Sequence, residues 1–231
     1  QWLMDRIDSL LREEGIDVYR QDFNMAPLGR WRANDAPDRQ GITENLHVQG
    51  YLAFWDELPR RNPRLWIDSC AGGGRRNDLE TLRRAVPLLR SDYQDFSGHP
   101  ACDNGNQGHT YGIASWFPYF GHNMMLNMQQ YLYQTRSYMC PAFGIQFDIR
   151  KNEVDWDIYR RLIRQWRQVA DCYLGDYYPM TPYSLLTTDW IAWQFHRPDQ
   201  PDQPDRPDGM IQAFRREKCG RDSLQIKPNE L

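Results

Sequence analysis

The chain has 231 residues, of which 28 are Lys or Arg and 31 are Asp or Glu, giving a formal net charge of −3. This balance excludes a nucleic-acid-binding protein that works through bulk positive charge. Hydrophobic residues make up 40% and aromatic residues 13%, which excludes disorder of the whole chain. No apolar run approaches the roughly 20 residues of a membrane-spanning helix, so no membrane partner is expected.

Short apolar runs alternate with helical periods along the first 180 residues. Apolar residues at helical spacing predict a first helix over residues 3–11, closed by Gly15. Predicted strands follow at residues 16–20, 65–69, 88–92, 115–119 and 142–148. The helices between them are predicted at residues 42–58, 78–86 with Asn77 as N-cap, 123–135 and 154–172. This alternation is typical of βα units and a parallel sheet, so we predict an α/β fold.

The pattern changes after residue 180 to an alternation of period two. It predicts strands at residues 190–195 and 210–214, separated by a spacer rich in Pro and Asp at residues 197–209. Because Pro cannot donate to a strand ladder and Asp-Gly favours a turn, we interpret the spacer as a long hairpin connection. We therefore predict two domains, residues 1–180 and residues 181–231, the second being the start of an antiparallel β domain.

Cysteine and histidine are scattered rather than clustered. The chain has five of each, and no pair has the close spacing of a zinc or redox motif. We expect no metal and no cofactor. The odd number of widely spaced cysteines favours a reducing compartment such as the cytoplasm.

Carboxylates follow two of the predicted strands at places where chemistry would collect. Asp22 follows the first strand and Asp92 ends the third. In a βα barrel the carboxyl ends of the strands converge on one open face. Two facing carboxyl groups are what glycoside cleavage needs, one as nucleophile and one as acid and base. An N-cap role, or pairing with a nearby Arg, is the structural alternative for either residue.

A glycine-rich turn at residues 70–76 follows the second strand. Glycines let backbone N–H groups approach a ligand closely, but the Lys-Ser/Thr pair of a P-loop is missing and the spacing differs from the dinucleotide fingerprint. A neutral polyol fits this turn better, with the small Cys70 side chain against its ring. A simple tight turn and a buried packing thiol remain alternatives.

Three blocks of sequence carry a family resemblance. They read Tyr-Arg-Gln-Asp-Phe-Asn-Met at residues 19–25, Ile-Asp-Ser-Cys-Ala-Gly-Gly-Gly-Arg-Arg-Asn-Asp at residues 67–78, and Arg-Ser-Asp-Tyr at residues 90–93. In order and separation they resemble the nucleophile motif, the glycine-rich turn and the acid/base motif of the glycoside hydrolase family 36 (melibiase-type) α-galactosidases. Residues 116–121 and 143–148 resemble later strands of the same family, so the similarity extends to about residue 214.

The resemblance implies a retaining hydrolase of terminal α-galactosides on a (β/α)8 TIM barrel. Residues 1–180 would form its rear portion, about strands 4 to 8. Asp22 would be the nucleophile and Asp92 the general acid/base, with carboxyl groups about 5 to 5.5 Å apart and Asp92 in the more desolvated or more negative surroundings. The substrate would be an α-galactoside oligosaccharide or glycoconjugate, and the full-length protein could form a homo-oligomer. The implied sugar-binding residues are Arg20, Asn24, Cys70, Gly73 and Arg76.

The sequence departs from the family at three positions. Arg20 replaces a Lys, Gln21 a Trp and Met25 an Arg. Such exchanges are not neutral in a pocket, so the sugar is left open between galactose, N-acetylgalactosamine and another α-linked sugar. Two other functions also stay open: a non-catalytic carbohydrate-binding relic, and an α-galactosyl transferase whose acceptor hydroxyl replaces water.

The family's first three βα units would precede Gln1, so the chain is interpreted as a piece of a larger enzyme. We expect the isolated 231 residues to be inactive. Residues 99–109 are predicted to form a loop at the rim of the active site. Trp31 and Trp116 are the favoured platforms for stacking a sugar ring.

Overall fold

The structure, a computed structural model, describes residues 1–93, 100–124, 131–146, 148, 150, 154–198 and 206–229. The chain forms two compact units, residues 1–90 and residues 91–231. Helices and strands alternate in both. This mixed architecture confirms the predicted α/β class.

The first unit packs its helices against one pair of parallel strands. In chain order its elements are α1 (Trp2–Glu13), β1 (Val18–Gln21), α2 (Leu28–Asn34), α3 (Ile42–Arg61), β2 (Trp66–Ser69) and α4 (Leu79–Leu82). Strands β1 and β2 are parallel, with Arg20 beside Asp68. On α1, Met4 and Leu11 lie on one helical face and are buried together with Trp55 of α3. The core of this unit therefore lies between α1, α3 and the strand pair.

The sequence located most of these elements but misplaced the third strand. Residues 88–92 form no strand; the backbone pairs at Val86 instead, whose N–H donates to the Ile67 carbonyl at 2.8 Å. Pro87 cannot continue the ladder because it has no N–H. The next N–H, that of Leu88, donates to the Asp68 carboxylate at 2.9 Å. A side chain thus takes the place of the expected strand partner.

The helix predicted at residues 78–86 is also shorter than expected. It ends at Leu82, and its N-cap is Asp78 rather than Asn77. The Asp78 carboxylate accepts a hydrogen bond from the backbone N–H of Thr81 at 2.9 Å. The Asn77 side chain donates instead to the Arg90 carbonyl at 3.1 Å. Helix α3 confirms the prediction for residues 42–58 and continues to Arg61.

The second unit combines a parallel strand pair with an antiparallel sheet. Its elements are α5 (Pro100–Ile113), β3 (Gly121–Met124), α6 (Tyr131–Tyr138), β4 (Ala142–Ile145), α7 (Trp156–Val169), a 3₁₀ helix (Ala170–Leu174), β5 (Asp176–Pro179), β6 (Trp190–His196) and β7 (Gly209–Arg215). Strands β3 and β4 are parallel. Strands β5, β6 and β7 are antiparallel in that order, which confirms the predicted hairpin between residues 190–195 and 210–214.

Three further predictions in this unit are wrong, wholly or in part. Residues 115–119 are not a strand, since the next strand begins at Gly121. Strand β3 also occupies the start of the helix predicted at residues 123–135, and residues 125–130 lie outside the described residues. The loop predicted at residues 99–109 is helix α5 from Pro100 onward, while His99 lies outside the described residues. Its buried face is polar, including Asn106, Gln107 and Thr110, so it lacks the apolar periodicity that announces a helix.

The strands of the described residues form three separate sheets of two, two and three strands, without closing into a barrel. The partial (β/α)8 barrel and the domain boundary at residue 180 therefore stay predictions. Of the helices in the described ranges, none is long and apolar enough to cross a membrane.

Candidate active site

Asp22 lies one residue beyond the end of β1 and is held by several donors. Its Oδ2 atom accepts a hydrogen bond from Asn24 Nδ2 at 3.0 Å, and its Oδ1 atom one from the Gly72 backbone N–H at 3.3 Å. Partial desolvation acts to raise the pKa of Asp22, but these bonds and one from the Cys70 thiol outweigh it, and the pKa lies below its usual value. The carboxylate is therefore ionised at neutral pH, as a nucleophile must be.

The glycine-rich turn presents backbone N–H groups toward Asp22. Gly72 and Gly73 have φ angles of 54° and 75°, in the left-handed region that favours glycine. The turn is closed by a hydrogen bond from the Ala71 N–H to the Gly73 carbonyl at 3.1 Å. This conformation lets the Gly72 N–H donate to Asp22, so the turn after β2 helps to hold the carboxylate after β1.

Arg20 forms an ion pair within the strand pair. Its Nη1 atom lies 2.5 Å from Asp68 Oδ2 on the neighbouring strand, and the other carboxylate oxygen accepts the Leu88 N–H. The Asp68 side chain is only 8% exposed, whereas that of Arg20 is 39% exposed. Asp68 is a site residue that sequence reasoning missed; the signal for it is its position opposite Arg20 in a parallel pair.

Cys70 is buried at the end of β2, and its thiol is one of the groups that lower the pKa of the Asp22 carboxyl. Burial raises the pKa of the thiol, so it stays protonated and able to donate at neutral pH. The structure thus brings Asp22, Asn24, Cys70 and the glycine turn together. All five cysteines lie in the described part of the chain, where each is buried and none forms a disulfide.

Arg76 is stacked on aromatic rings. Its guanidinium carbon lies 4.2 Å from the centre of the Phe23 ring and 5.1 Å from that of Tyr51. Phe23 also contacts His47, at 5.9 Å between ring centres, and His47 contacts Trp31 at 5.1 Å. Trp31, predicted to stack on a sugar, therefore belongs to an aromatic cluster that includes His47 and Phe23, the residue after Asp22.

Asp92 is the second residue of the second unit and is partly buried. Because Asp22 belongs to the first unit, the predicted separation between the two carboxyl groups stays a prediction. The next residue, Tyr93, packs on α5, with its ring 5.5 Å from that of His109. Trp116, the other predicted platform, is 44% exposed and contacts Phe117.

Metal ligands are not assembled in this part of the molecule. Among the residues that the structure describes, no group of three or more His, Cys, Asp or Glu side chains could hold a metal ion. At Asp22 the carboxylate is bonded by an amide and a backbone N–H, with the Cys70 thiol among the groups that lower its pKa.

Comparisons with known proteins match this chain to α-galactosidases. No protein-family model matches the chain. Alpha-galactosidase 1 from Pediococcus pentosaceus is 23% identical over 203 residues, which are 86% of this chain and 27% of that protein. The solved α-galactosidase from Lactobacillus brevis has a TM-score of 0.69 at 18% identity, over 87% of this chain and 27% of its own. A variant of the family 36 α-galactosidase AgaA from Geobacillus stearothermophilus, solved with raffinose, has a TM-score of 0.65 at 20% identity, over 84% of this chain and 27% of its own.

The chain resembles the family 36 α-galactosidases. The motifs at residues 19–25, 67–78 and 90–93 suggested this resemblance, and the comparisons confirm it over most of the chain. Its relatives bear the name of a glycoside hydrolase, α-galactosidase. The chain spans about a quarter of the length of these α-galactosidases, 27% in each comparison given above.

Proposed function

We propose that these residues form part of the active site of a retaining α-galactosidase. The observation that carries the proposal is Asp22, an ionised carboxylate just after a parallel strand, fixed by hydrogen bonds from Asn24 and Gly72, with Cys70 further lowering its pKa. A nucleophile must be both ionised and held still for attack on an anomeric carbon. The likeness to α-galactosidases over 86% of the chain supports the same role.

The reaction would be a double displacement with Asp22 and Asp92 in separate roles. Asp22 attacks the anomeric carbon and forms a glycosyl ester as the bond to the leaving oxygen breaks, while the Asp92 carboxyl group protonates that oxygen. Asp92, now ionised, takes a proton from water, whose oxygen attacks the same carbon and releases Asp22. The configuration of the sugar is retained because it is inverted twice.

The proposed substrate is an α-galactoside oligosaccharide or glycoconjugate. Raffinose bound to the Geobacillus stearothermophilus relative supports this class. Arg20, Asn24, Cys70, Gly73 and Arg76 are proposed to bind the sugar; Arg20 and Arg76 would do so from side chains that already contact Asp68 and two aromatic rings. The rest of the (β/α)8 barrel, of which residues 1–180 would be the rear portion, would complete the site.

Covalent trapping tests the proposal directly. The full-length protein that contains these residues is incubated with 2-deoxy-2-fluoro-α-galactosyl fluoride, then analysed by intact mass and peptide mapping. We expect one adduct on Asp22. Asp22→Asn should abolish it, whereas Asp17→Asn should not, because Asp17 is an exposed residue before the opposite end of the same strand.

The outcome also separates the rival functions. A folded protein that binds galactose but leaves Asp22 unmodified would contradict the proposal and favour a carbohydrate-binding relic. An adduct on Asp22 whose breakdown yields sugar-transfer products with sucrose, instead of free sugar, would favour a transferase.

A further inference from the structure

At one glycine, helix α5 lies unusually close to the ring of Tyr93, the residue that follows Asp92. A Cβ atom on Gly105 would lie 2.8 Å from Cζ and 2.9 Å from Cδ1 of the Tyr93 ring, and closer still to its Cε1. Real Cβ atoms essentially never come so near another heavy atom. Only glycine therefore lets the Tyr93 ring lie directly on the backbone of this helix.

Three further contacts fix Tyr93 in the same place. The Cys102 thiol donates to the Tyr93 carbonyl at 3.4 Å, and the Tyr93 N–H donates to Ser91 Oγ at 3.1 Å. The His109 ring, one turn of α5 beyond Gly105, meets the Tyr93 ring edge to face at 5.5 Å. We call this set, with Gly105, the Tyr93–α5 contact. It holds both the main chain and the ring of the residue that follows Asp92.

We infer that the Tyr93–α5 contact positions the carboxyl group of Asp92 for proton transfer to the leaving oxygen, with Tyr93 and Gly105 as positioning residues. The inference rests on the proposed function of Asp92. General acid catalysis requires the acid within hydrogen-bond reach of the atom it protonates, and a misplacement of about 1 Å costs on the order of 100-fold in rate. Asp92 is directly bonded to Tyr93, so a displaced ring would move the acid.

The contact spans a short stretch of chain. Tyr93 precedes residues 94–99, and Cys102, Gly105 and His109 follow them on α5. Tyr93, the neighbour of Asp92, is thus linked to α5 by direct contacts of its carbonyl and its ring. A general acid needs support of this kind from a neighbouring element.

Gly105→Ala, with Gly112→Ala as its matched control, tests the inference. Both glycines lie in α5, but a Cβ on Gly112 would meet nothing within 4 Å. In the full-length protein, kcat/KM is measured for a 2,4-dinitrophenyl α-galactoside, whose leaving group needs no proton, and for a phenyl α-galactoside, whose leaving group does. We expect Gly105→Ala to lower kcat/KM about 10- to 100-fold for the phenyl substrate and less than about 3-fold for the dinitrophenyl substrate.

The controls separate this inference from the proposed function. Asp92→Asn should show the same dependence on the leaving group in stronger form, and Gly112→Ala should show none. If Asp92→Asn lacks that dependence, the role of Asp92 fails and the inference falls with it. If Asp92→Asn shows it but Gly105→Ala slows both substrates equally or neither, only the positioning role is overturned. Should Gly105→Ala fail to fold, Tyr93→Leu removes the ring without a clash and must show the same dependence.

Discussion

The guanidinium of Arg76 lies 4.2 Å from the centre of the Phe23 ring, and Phe23 directly follows Asp22. Asp92 is followed in the same way by Tyr93, whose ring packs on Gly105. Each candidate catalytic carboxylate is thus attached to an aromatic residue that is fixed within its own unit. Large rigid rings are well suited to this because they bury much surface with few rotatable bonds.

Replacing Arg76 should destabilise the protein, because Arg76 stacks on Phe23, the residue after Asp22. Arg76→Gln removes the charge stacked on Phe23 and Tyr51, and we expect a loss of about 1 to 2 kcal/mol in the free energy of unfolding. Arg75→Gln on the same turn is the control and should have little effect, since Arg75 is exposed. Thermal unfolding of the full-length protein measures both. A raised KM without a loss of stability would indicate instead that Arg76 acts mainly on the sugar.

The glycine turn should not tolerate a side chain at Gly74. A Cβ there would overlap the Arg90 carbonyl oxygen and lie 2.9 Å from Asn77 Nδ2, so Gly74→Ala should destabilise the protein by about 1 to 3 kcal/mol. Gly50→Ala is the matched control, because a Cβ on Gly50 in α3 meets nothing within 4 Å. There we expect stabilisation of up to about 1 kcal/mol from helix propensity. Equal melting temperatures for the two variants would contradict the close approach at Gly74.

Breaking the Arg20–Asp68 ion pair should cost more than breaking an exposed one. Asp68→Asn removes the buried anion that binds Arg20 and weakens the bond to the Leu88 N–H. Allowing for the partial exposure of Arg20, we expect a loss of about 1 to 3 kcal/mol. Asp56→Asn, which removes an exposed carboxylate paired with the largely buried Arg84, should change stability by less than about 1 kcal/mol. Chemical denaturation of both variants measures the two losses in the free energy of unfolding. Equal losses would contradict the larger contribution of the Arg20–Asp68 pair.

The sequence was sufficient where local pattern and tertiary structure agree. The positions of strands β1, β2 and β6 and of helices α3 and α7 were predictable within a few residues, and in α7 the apolar periodicity matches the burial of Tyr159 and Leu162. Asn24, Cys70 and the glycine turn lie near Asp22 because parallel strand ends meet at one edge of a sheet, and their role in binding a sugar stays a prediction.

The rest depends on contacts between residues distant in sequence. Helix α5 was missed because its polar face is satisfied by distant partners: Gln107 donates to Ser137 Oγ at 2.9 Å and accepts from Arg216 Nε at 3.1 Å. The pairing at Val86 was missed because Pro87 interrupts the ladder and the Asp68 carboxylate accepts the Leu88 N–H in place of a strand carbonyl. Neither partner can be identified from periodicity alone.

The pH dependence of stability should report on a buried carboxyl group in α5. Asp103 is 6% exposed, and burial raises its pKa to about 6, against a smaller opposing effect of a hydrogen bond from Gln134. Since the folded pKa exceeds the unfolded value of 3.8, the folded state holds the proton more tightly. The contribution of Asp103 to stability is therefore fully present below about pH 4 and is lost as the pH rises to about 6, by roughly 3 kcal/mol.

Asp103→Asn should remove this slope, because an amide cannot ionise. We expect the variant to be more stable than the wild type at pH 7 and to differ little from it near pH 4, as measured by thermal unfolding of the full-length protein across that range. Asp157→Asn, which replaces an exposed carboxylate on α7, should retain the wild-type slope. An Asp103→Asn variant that is destabilised equally at all pH values would show that the carboxyl group acts through its hydrogen bond with Gln134 and not through its charge. Because Asp103 and Gly105 lie on the same helix, the comparison also shows whether the stability of α5, which supports Tyr93, changes over this pH range.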